Sequence, residues 1–184
     1  RSQVLELGFI GEFFPIPEKY THVYRVRGVS GFKGQFMRPY VFTGIAGFYF
    51  NPKARANRQG GQWYTLQTIG TEGQGHIPGK TRYSRVSFAI PMGIGMRYTL
   101  GRIWAFNMAF GVRKTFTDYL DDVSTDYVDA TIIEEAFGPD AAKLSDPQIG
   151  FLDYDPTKPG FQRGDPKQKD LYMFTMFTLS YRFR

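Results

Sequence analysis

Residues 102–116 read RIWAFNMAFGVRKTF. Every second residue is bulky and apolar: Trp104, Phe106, Met108, Phe110 and Val112. Between them stand Ala105, Asn107, Ala109, Gly111 and Arg113. A period of two is the mark of a β-strand, because successive side chains point to opposite faces. A sheet in water buries its bulky set and solvates the other with Lys, Glu and Thr. Here the second set is too small and too sparsely charged for that role.

The preceding stretch, residues 82–100, repeats the pattern as RYSRVSFAIPMGIGMRYTL. Val86, Phe88, Ile90, Met92, Ile94, Met96 and Tyr98 form one face. Ser87, Ala89, Pro91, Gly93, Gly95, Arg97 and Thr99 form the other. Pro91 removes one ladder hydrogen bond and predicts a bulge or an edge. A tight turn at 100–102 joins the two strands into a hairpin, and each arm exceeds the roughly 9–11 residues that cross a bilayer at a tilt. The end of the chain, LYMFTMFTLSYRFR from Leu171, puts Met173, Phe177, Leu179, Tyr181 and Phe183 on one face. Upstream, Gln3–Phe14 alternates as well, and His22–Gly31 does so more weakly. The Gly-spaced, aromatic-rich strand Tyr40–Asn51 leaves its faces open.

Small residues suit the crowded interior of a narrow barrel, and a bulky apolar exterior suits lipid. The fold expected is all-β: a small transmembrane antiparallel barrel formed as one domain over 1–184, against a soluble sandwich or barrel. About six strands are visible and small barrels have about eight. The sequence opens at Arg1 within a strand pattern, so an N-terminal hairpin is expected before it. The mean hydropathy of -0.35 agrees with strands whose apolar residues are diluted by inward-facing ones. No run approaches the roughly 18 apolar residues of a spanning helix. With no Cys, disulfides and thiolate chemistry are excluded. The net charge of +6 weakly favours anionic partners such as lipid headgroups, and no nucleic-acid partner is expected.

Barrels of this kind pair short periplasmic turns with long extracellular loops. The turn at 100–102 then faces the periplasm, and the polar segments 51–81 and 119–170 face outward. The second segment contains a helix over Ala130–Phe137, stopped by Gly138-Pro139. The periplasmic rim would carry Lys33, Arg38, Arg102, Arg182 and Arg184, a basic set that could dock a partner or meet anionic headgroups. Alternation points Glu6, Glu12, Arg97 and Arg113 into the lumen, where acids and bases are expected to pair.

Several motifs resemble chemical sites and fail on spacing. GTEGQGHIPGKT, residues 70–81, lacks a Gly at the position a phosphate loop needs before Gly79, and a strand follows it, not a helix. It reads as a flexible, glycine-rich loop. TDYLDDVSTDYVD, residues 117–129, gathers five Asp residues, but not in the calcium-loop order. It reads as a solvated acidic loop or a partner-docking loop, with Asp118, Tyr119, Asp121 and Asp122 as its candidate residues. His22 and His76 are the only histidines, and nothing places His76 beside Ser84 or Ser87 as a barrel lipid hydrolase would require. No catalysis, cofactor or metal is expected.

Several of these segments together resemble one family. PYVFTGIAGFYFNPKA (39–54), LQTIGTEGQG (66–75), YSRVSFAIPMGIGMRY (83–98), TFTDYLDDVSTDYVD (115–129) and RGDPKQKDLYMFT (163–175) look like the PorG-type outer-membrane proteins of the type IX secretion system. The match covers most of the chain, in order, and RSQVLELGFIGEFFPI looks like an internal strand of that family. The resemblance implies an outer-membrane barrel, without catalysis, associated with the periplasmic ring of lipoprotein and soluble subunits that serves secretion and gliding. The alternatives are a barrel acting alone as a narrow pore or stability protein, or, less favoured, a lipid-modifying barrel enzyme.

Overall fold

The computed structural model describes residues 1–16, 37–56, 61–100, 103–146, 158–181 and 183. The strand expected over 22–31 and all but the first residue of the turn at 100–102 lie outside these residues. Five long strands are described: β1 Ser2–Phe13, β2 Met37–Ala54, β4 Val86–Leu100, β5 Trp104–Thr115 and β6 Leu171–Tyr181. A two-residue strand, β3 Tyr64–Thr65, pairs antiparallel with the end of β2. The helices are a single turn, α1 Leu66–Ile69, then α2 Ala130–Phe137 and α3 Pro139–Ser145. The class is all-β.

The sheet order is β1-β2-β4-β5-β6, with β3 off the path. Each long strand therefore pairs with the next in the chain. Between β5 and β6 the register runs from Trp104 opposite Tyr181 to Lys114 opposite Leu171, antiparallel throughout. In β1 and β2 the amide of Lys53 donates to the Arg1 carbonyl at 2.8 Å, and Gly11 lies against Thr43. As one number rises the other falls, so this pair is antiparallel too.

The strands differ in detail from those read in the sequence. The strand expected to start at Arg82 starts at Val86. The Ser84 hydroxyl bonds the Val86 backbone amide and carbonyl at 3.1 and 3.0 Å, a local link that competes with ladder pairing. Strand β2 runs on to Ala54, because Lys53 and Ala54 find partners in Thr65 and Tyr64. Pro91 marks neither an edge nor a break. It is buried within β4, between β2 and β5, and the neighbours Phe88–Phe116 and Gly93–Gly111 keep one register across it.

Helix α2 spans the residues expected, and Asp129 caps it by accepting from the Thr131 amide at 3.0 Å. Gly138 (φ 86) ends it. Pro139 then opens α3 instead of stopping helical structure, since the first helical position has no amide bond to lose.

The chain divides into two units. One comprises Gly8–Ala46, Ile90–Lys114 and Leu171–Arg184. Its inner face is built from Tyr40, Phe42 and Ala109, with Phe14 and Phe174 packed against them. The other comprises Arg1–Leu7, Gly47–Ala89 and Thr115–Asp170. It holds two clusters. Phe48, Phe50 and Ala89 gather Tyr83, Tyr119 and Leu120. Ile69, Ile133, Ala141 and Leu144 join the short helices to Tyr64 and Leu66.

Candidate functional site

Two features stand out: a sheet face that exposes its bulky residues, and a buried polar knot among the loops.

In the strand unit, alternation separates the faces on β4 and β5, whereas β1 and much of β6 are exposed on both. Trp104, Phe106, Met108 and Phe110 are exposed, as are Met92, Ile94, Met96 and Tyr98 of β4. On β6 Met173, Phe177, Leu179 and Tyr181 are exposed and sit opposite Val112, Met108, Phe106 and Trp104. The rings of Phe106 and Phe177 stack at 6.2 Å, and those of Trp104 and Tyr181 meet edge-on at 4.8 Å. Val41 and Ile45 of β2 and Phe9 of β1 add to the apolar exposure. In the loop-bearing unit Phe88 is 68% exposed. Ile90 and Val112 are the exceptions on the bulky face of β4 and β5, being half-buried. Monomers in water rarely expose apolar side chains in such number on adjacent strands.

The opposite face is buried. It carries Ala109, Asn107, Arg113 and Gly111 on β5, with Pro91 on β4. Strand β2, whose faces the sequence left open, turns Tyr40 and Phe42 to this side. Their rings fill the space that Gly93, Gly95 and Gly111 leave empty. Among the four expected inner charges, Arg97 and Glu12 pair at 2.7 Å, each about one-third exposed. The Arg97 guanidinium also lies 4.7 Å from the centre of the Phe14 ring. Arg113 stacks on Phe174 at 3.9 Å. Glu6 belongs to the other unit.

Of the basic rim residues, Arg38 alone is described. It is half-buried, lies 4.5 Å over Phe14 and donates to the Ile16 carbonyl at 3.3 Å. Lys33, Arg102, Arg182 and Arg184 lie outside the described residues.

The knot corrects the reading of two loops. GTEGQG is neither open nor solvent-filled: Thr71, Glu72 and Gln74 are buried. Gly70, Gly73 and Gly75 adopt φ of 66, 82 and 80, which lets the chain coil tightly around the Glu72 side chain. The Glu72 carboxylate is fully enclosed. It accepts from the amides of Ser124 at 2.8 Å and Thr125 at 3.1 Å, and from the Thr125 hydroxyl at 2.7 Å. Arg163 reaches it at 3.2 Å and also donates to Thr71 Oγ1 at 3.0 Å and the Asp122 carbonyl at 3.1 Å.

The acidic loop is likewise not simply solvated. Asp122 is buried, with φ 71, and accepts hydrogen bonds from the hydroxyls of Thr71 and, at 2.5 Å, Tyr83. Burial pushes its carboxyl up to about 6, against the pull of both hydroxyls and of Arg163. Burial, then the adjacent Asp122, raises the Tyr83 phenol. Asp118 is also buried and its carboxyl is raised by that burial. Tyr119 stacks on Tyr83 at 4.3 Å, and Asp121 is exposed.

Sequence reading missed Glu72, Arg163, Thr71 and Tyr83. The available signal was a lone acid set among glycines in one segment and a lone Arg-Gly in another. The segments 66–75, 115–129 and 163–175, quoted above for the family resemblance, all contribute to this knot.

The other candidate chemistries gain no geometry. Ser84 bonds backbone, while the His76 ring meets Phe137 edge-on at 4.8 Å. Among the described residues no group of three His, Cys, Asp or Glu is placed to hold a metal ion. No described helix is long and apolar enough to cross a membrane. Comparison with family models, curated proteins and solved structures finds no match.

Proposed function

We propose that this chain is an outer-membrane β-barrel protein of the PorG type, closed by about eight strands in the complete protein. It serves without catalysis as the membrane anchor for the periplasmic ring of a type IX secretion machine. One observation carries the membrane part of this reading. In the strand unit, the bulky residues of β4 and β5 are the exposed ones, while the face buried behind them is lined by Ala109, Asn107, Gly111 and Arg113 and filled by the rings of Tyr40 and Phe42. Hydrocarbon is the solvent that rewards this exposure, and antiparallel strands satisfy their backbone groups in it. The sequence resemblance supports the secretion part.

Two experiments test the two parts separately. Partition of the intact protein into lipid vesicles, with strands protected from protease, tests the anchor. Recovery in an aqueous fraction without detergent would overturn it. Mild-detergent extraction followed by mass spectrometry of co-purifying proteins tests the ring. A barrel that inserts but brings down no periplasmic lipoprotein or soluble ring subunit is a stand-alone barrel. Reversal of Arg38 and Arg102 to Glu should lower ring recovery in a salt-dependent way, because rim charges chiefly steer association.

A further inference from the structure

We propose that Asp122, Glu72 and Arg163 form a proton-controlled clasp, which fastens the segment 66–85 to the loops 117–127 and 160–165. The inference does not depend on whether the sheet meets lipid.

The loops to be fastened are already paired with each other through their backbones. Tyr127 donates to the Phe161 carbonyl at 2.8 Å, and Gly160 to that of Tyr127 at 2.8 Å. The amides of Arg163 and Gly164 converge on the Thr125 carbonyl at 2.7 and 2.8 Å. Gly164 is pressed so close that a Cβ there would lie 2.7 Å from the Ser124 Cα. The segment 66–85 joins this pair through side chains: Glu72 to Ser124 and Thr125, Thr71 and Tyr83 to Asp122.

The charges at that junction do not balance. Two fully enclosed carboxylates, Glu72 and Asp122, face one guanidinium, Arg163. Glu72 takes the direct contact and has its oxygens filled by four further donors. Asp122 meets Arg163 only through the Thr71 hydroxyl and through its own backbone carbonyl. The other charged neighbours do not restore the balance. Lys80 bonds the Glu72 carbonyl at 3.0 Å, not its carboxylate. Arg85 acts on Tyr83, and on the far side Asp118, close to Ser124, adds a further acid. Closing the clasp with Asp122 ionised therefore buries one uncompensated negative charge. Closing it with Asp122 protonated does not.

The sign follows by linkage. In the closed clasp the Asp122 carboxyl titrates at about 6, against 3.8 ordinarily. The protonated form favours closure, so the clasp is firm below that range and loosens as pH rises through it. Asp118 and Asp170, also raised by burial, act in the same direction. The Asp122 contribution alone makes the closed-to-open ratio roughly tenfold larger at pH 5 than at pH 7.5.

Amide hydrogen exchange on the full-length protein reads this directly, with residues 104–115 as the internal reference and rates corrected for intrinsic pH dependence. In wild type, protection of 66–85 and 117–127 should rise about tenfold between pH 7.5 and pH 5. Asp122→Asn, which holds one accepting and one donating atom as the protonated acid does, should abolish that rise and stay near the acid level. Tyr83→Phe removes a donor that favours the ionised form, so its midpoint should move upward. A merely structural hydroxyl would leave the midpoint in place. Flat protection in wild type, an Asp122→Asn profile parallel to wild type, or an unmoved Tyr83→Phe midpoint would each overturn the clasp.

Discussion

The ring of Phe42 stands where a side chain at Gly111 would begin: a Cβ at residue 111 would lie 2.6 Å from its Cζ and 2.7 Å from that of Phe174. Phe42 cannot swing aside freely. It is 7% exposed and packed between the rings of Tyr40 and Phe174, at 6.2 and 6.3 Å. The inner face is therefore a fit of large residues on β2 and β6 into small ones on β5, and Gly111→Ala overpacks it. The expected cost is about 1–3 kcal/mol. Gly47→Ala is the control, since its Cβ would meet nothing nearer than Phe88 at 3.8 Å. Equilibrium unfolding of the two variants in the same detergent should separate them, with Gly47→Ala at or above wild-type stability.

The outer face should respond to polarity where the inner face responds to bulk. Phe106 is 38% exposed and sits opposite Leu179, with the Phe177 ring beside it. If hydrocarbon covers this position near the bilayer midplane, Phe106→Arg costs roughly 2–4 kcal/mol of folding into vesicles. In water an exposed position accepts Arg within about 0.5 kcal/mol. Denaturant titration of vesicle-folded Phe106→Arg distinguishes the two, and a change within that smaller range would remove the membrane reading.

How much of this was legible follows from the length scale of each signal. The alternation at Phe88–Met96 and Trp104–Val112 is local, and a two-residue period assigns both strands and faces at once. Helix α2 was legible because Gly138 ends it, while the Asp129 cap at its start emerged only in the structure. Strand β2 was not resolved, because aromatic residues and glycines occur on both of its faces. What turns Tyr40 and Phe42 inward is Gly93, Gly95 and Gly111, more than fifty residues away in the chain. The knot was hidden for the same reason. An acid at Glu72 or Asp122 reads as solvated until Arg163, 91 residues from Glu72, is seen against it. The bulge expected at Pro91 failed because β4 absorbs the missing donor without losing register against β5.

Two ion pairs among the described residues should behave differently. Arg97 and Glu12 are close, at 2.7 Å, but about one-third exposed. Solvent screens such a pair, so Glu12→Gln should change stability by no more than about 1 kcal/mol, and the difference should shrink with added salt. Arg97→Ala should cost more than Glu12→Gln, because its guanidinium also covers the Phe14 ring at 4.7 Å. Parallel thermal melts at low and high ionic strength give both comparisons. Equal losses for the two variants would reduce Arg97 to a charge partner alone.

Glu72 and Arg163 lie at the opposite extreme, with side chains 0% and 8% exposed. Removing either leaves the other enclosed without its direct partner, at a cost of about 3–5 kcal/mol. Glu72→Ala also strands the amides of Ser124 and Thr125, which have no other acceptor so well placed. Arg163→Met should therefore be the milder change, since Asp122 and Glu72 keep their hydroxyl and amide donors. The double variant should cost clearly less than the two single losses together, because the second substitution removes a charge already stranded by the first. Limited proteolysis of the folded protein gives the readout, with cleavage in 117–127 and 160–165 set against the strands. Simple additivity of the two losses would mean that Glu72 and Arg163 support their loops independently, through the backbone contacts each makes, and not through one another.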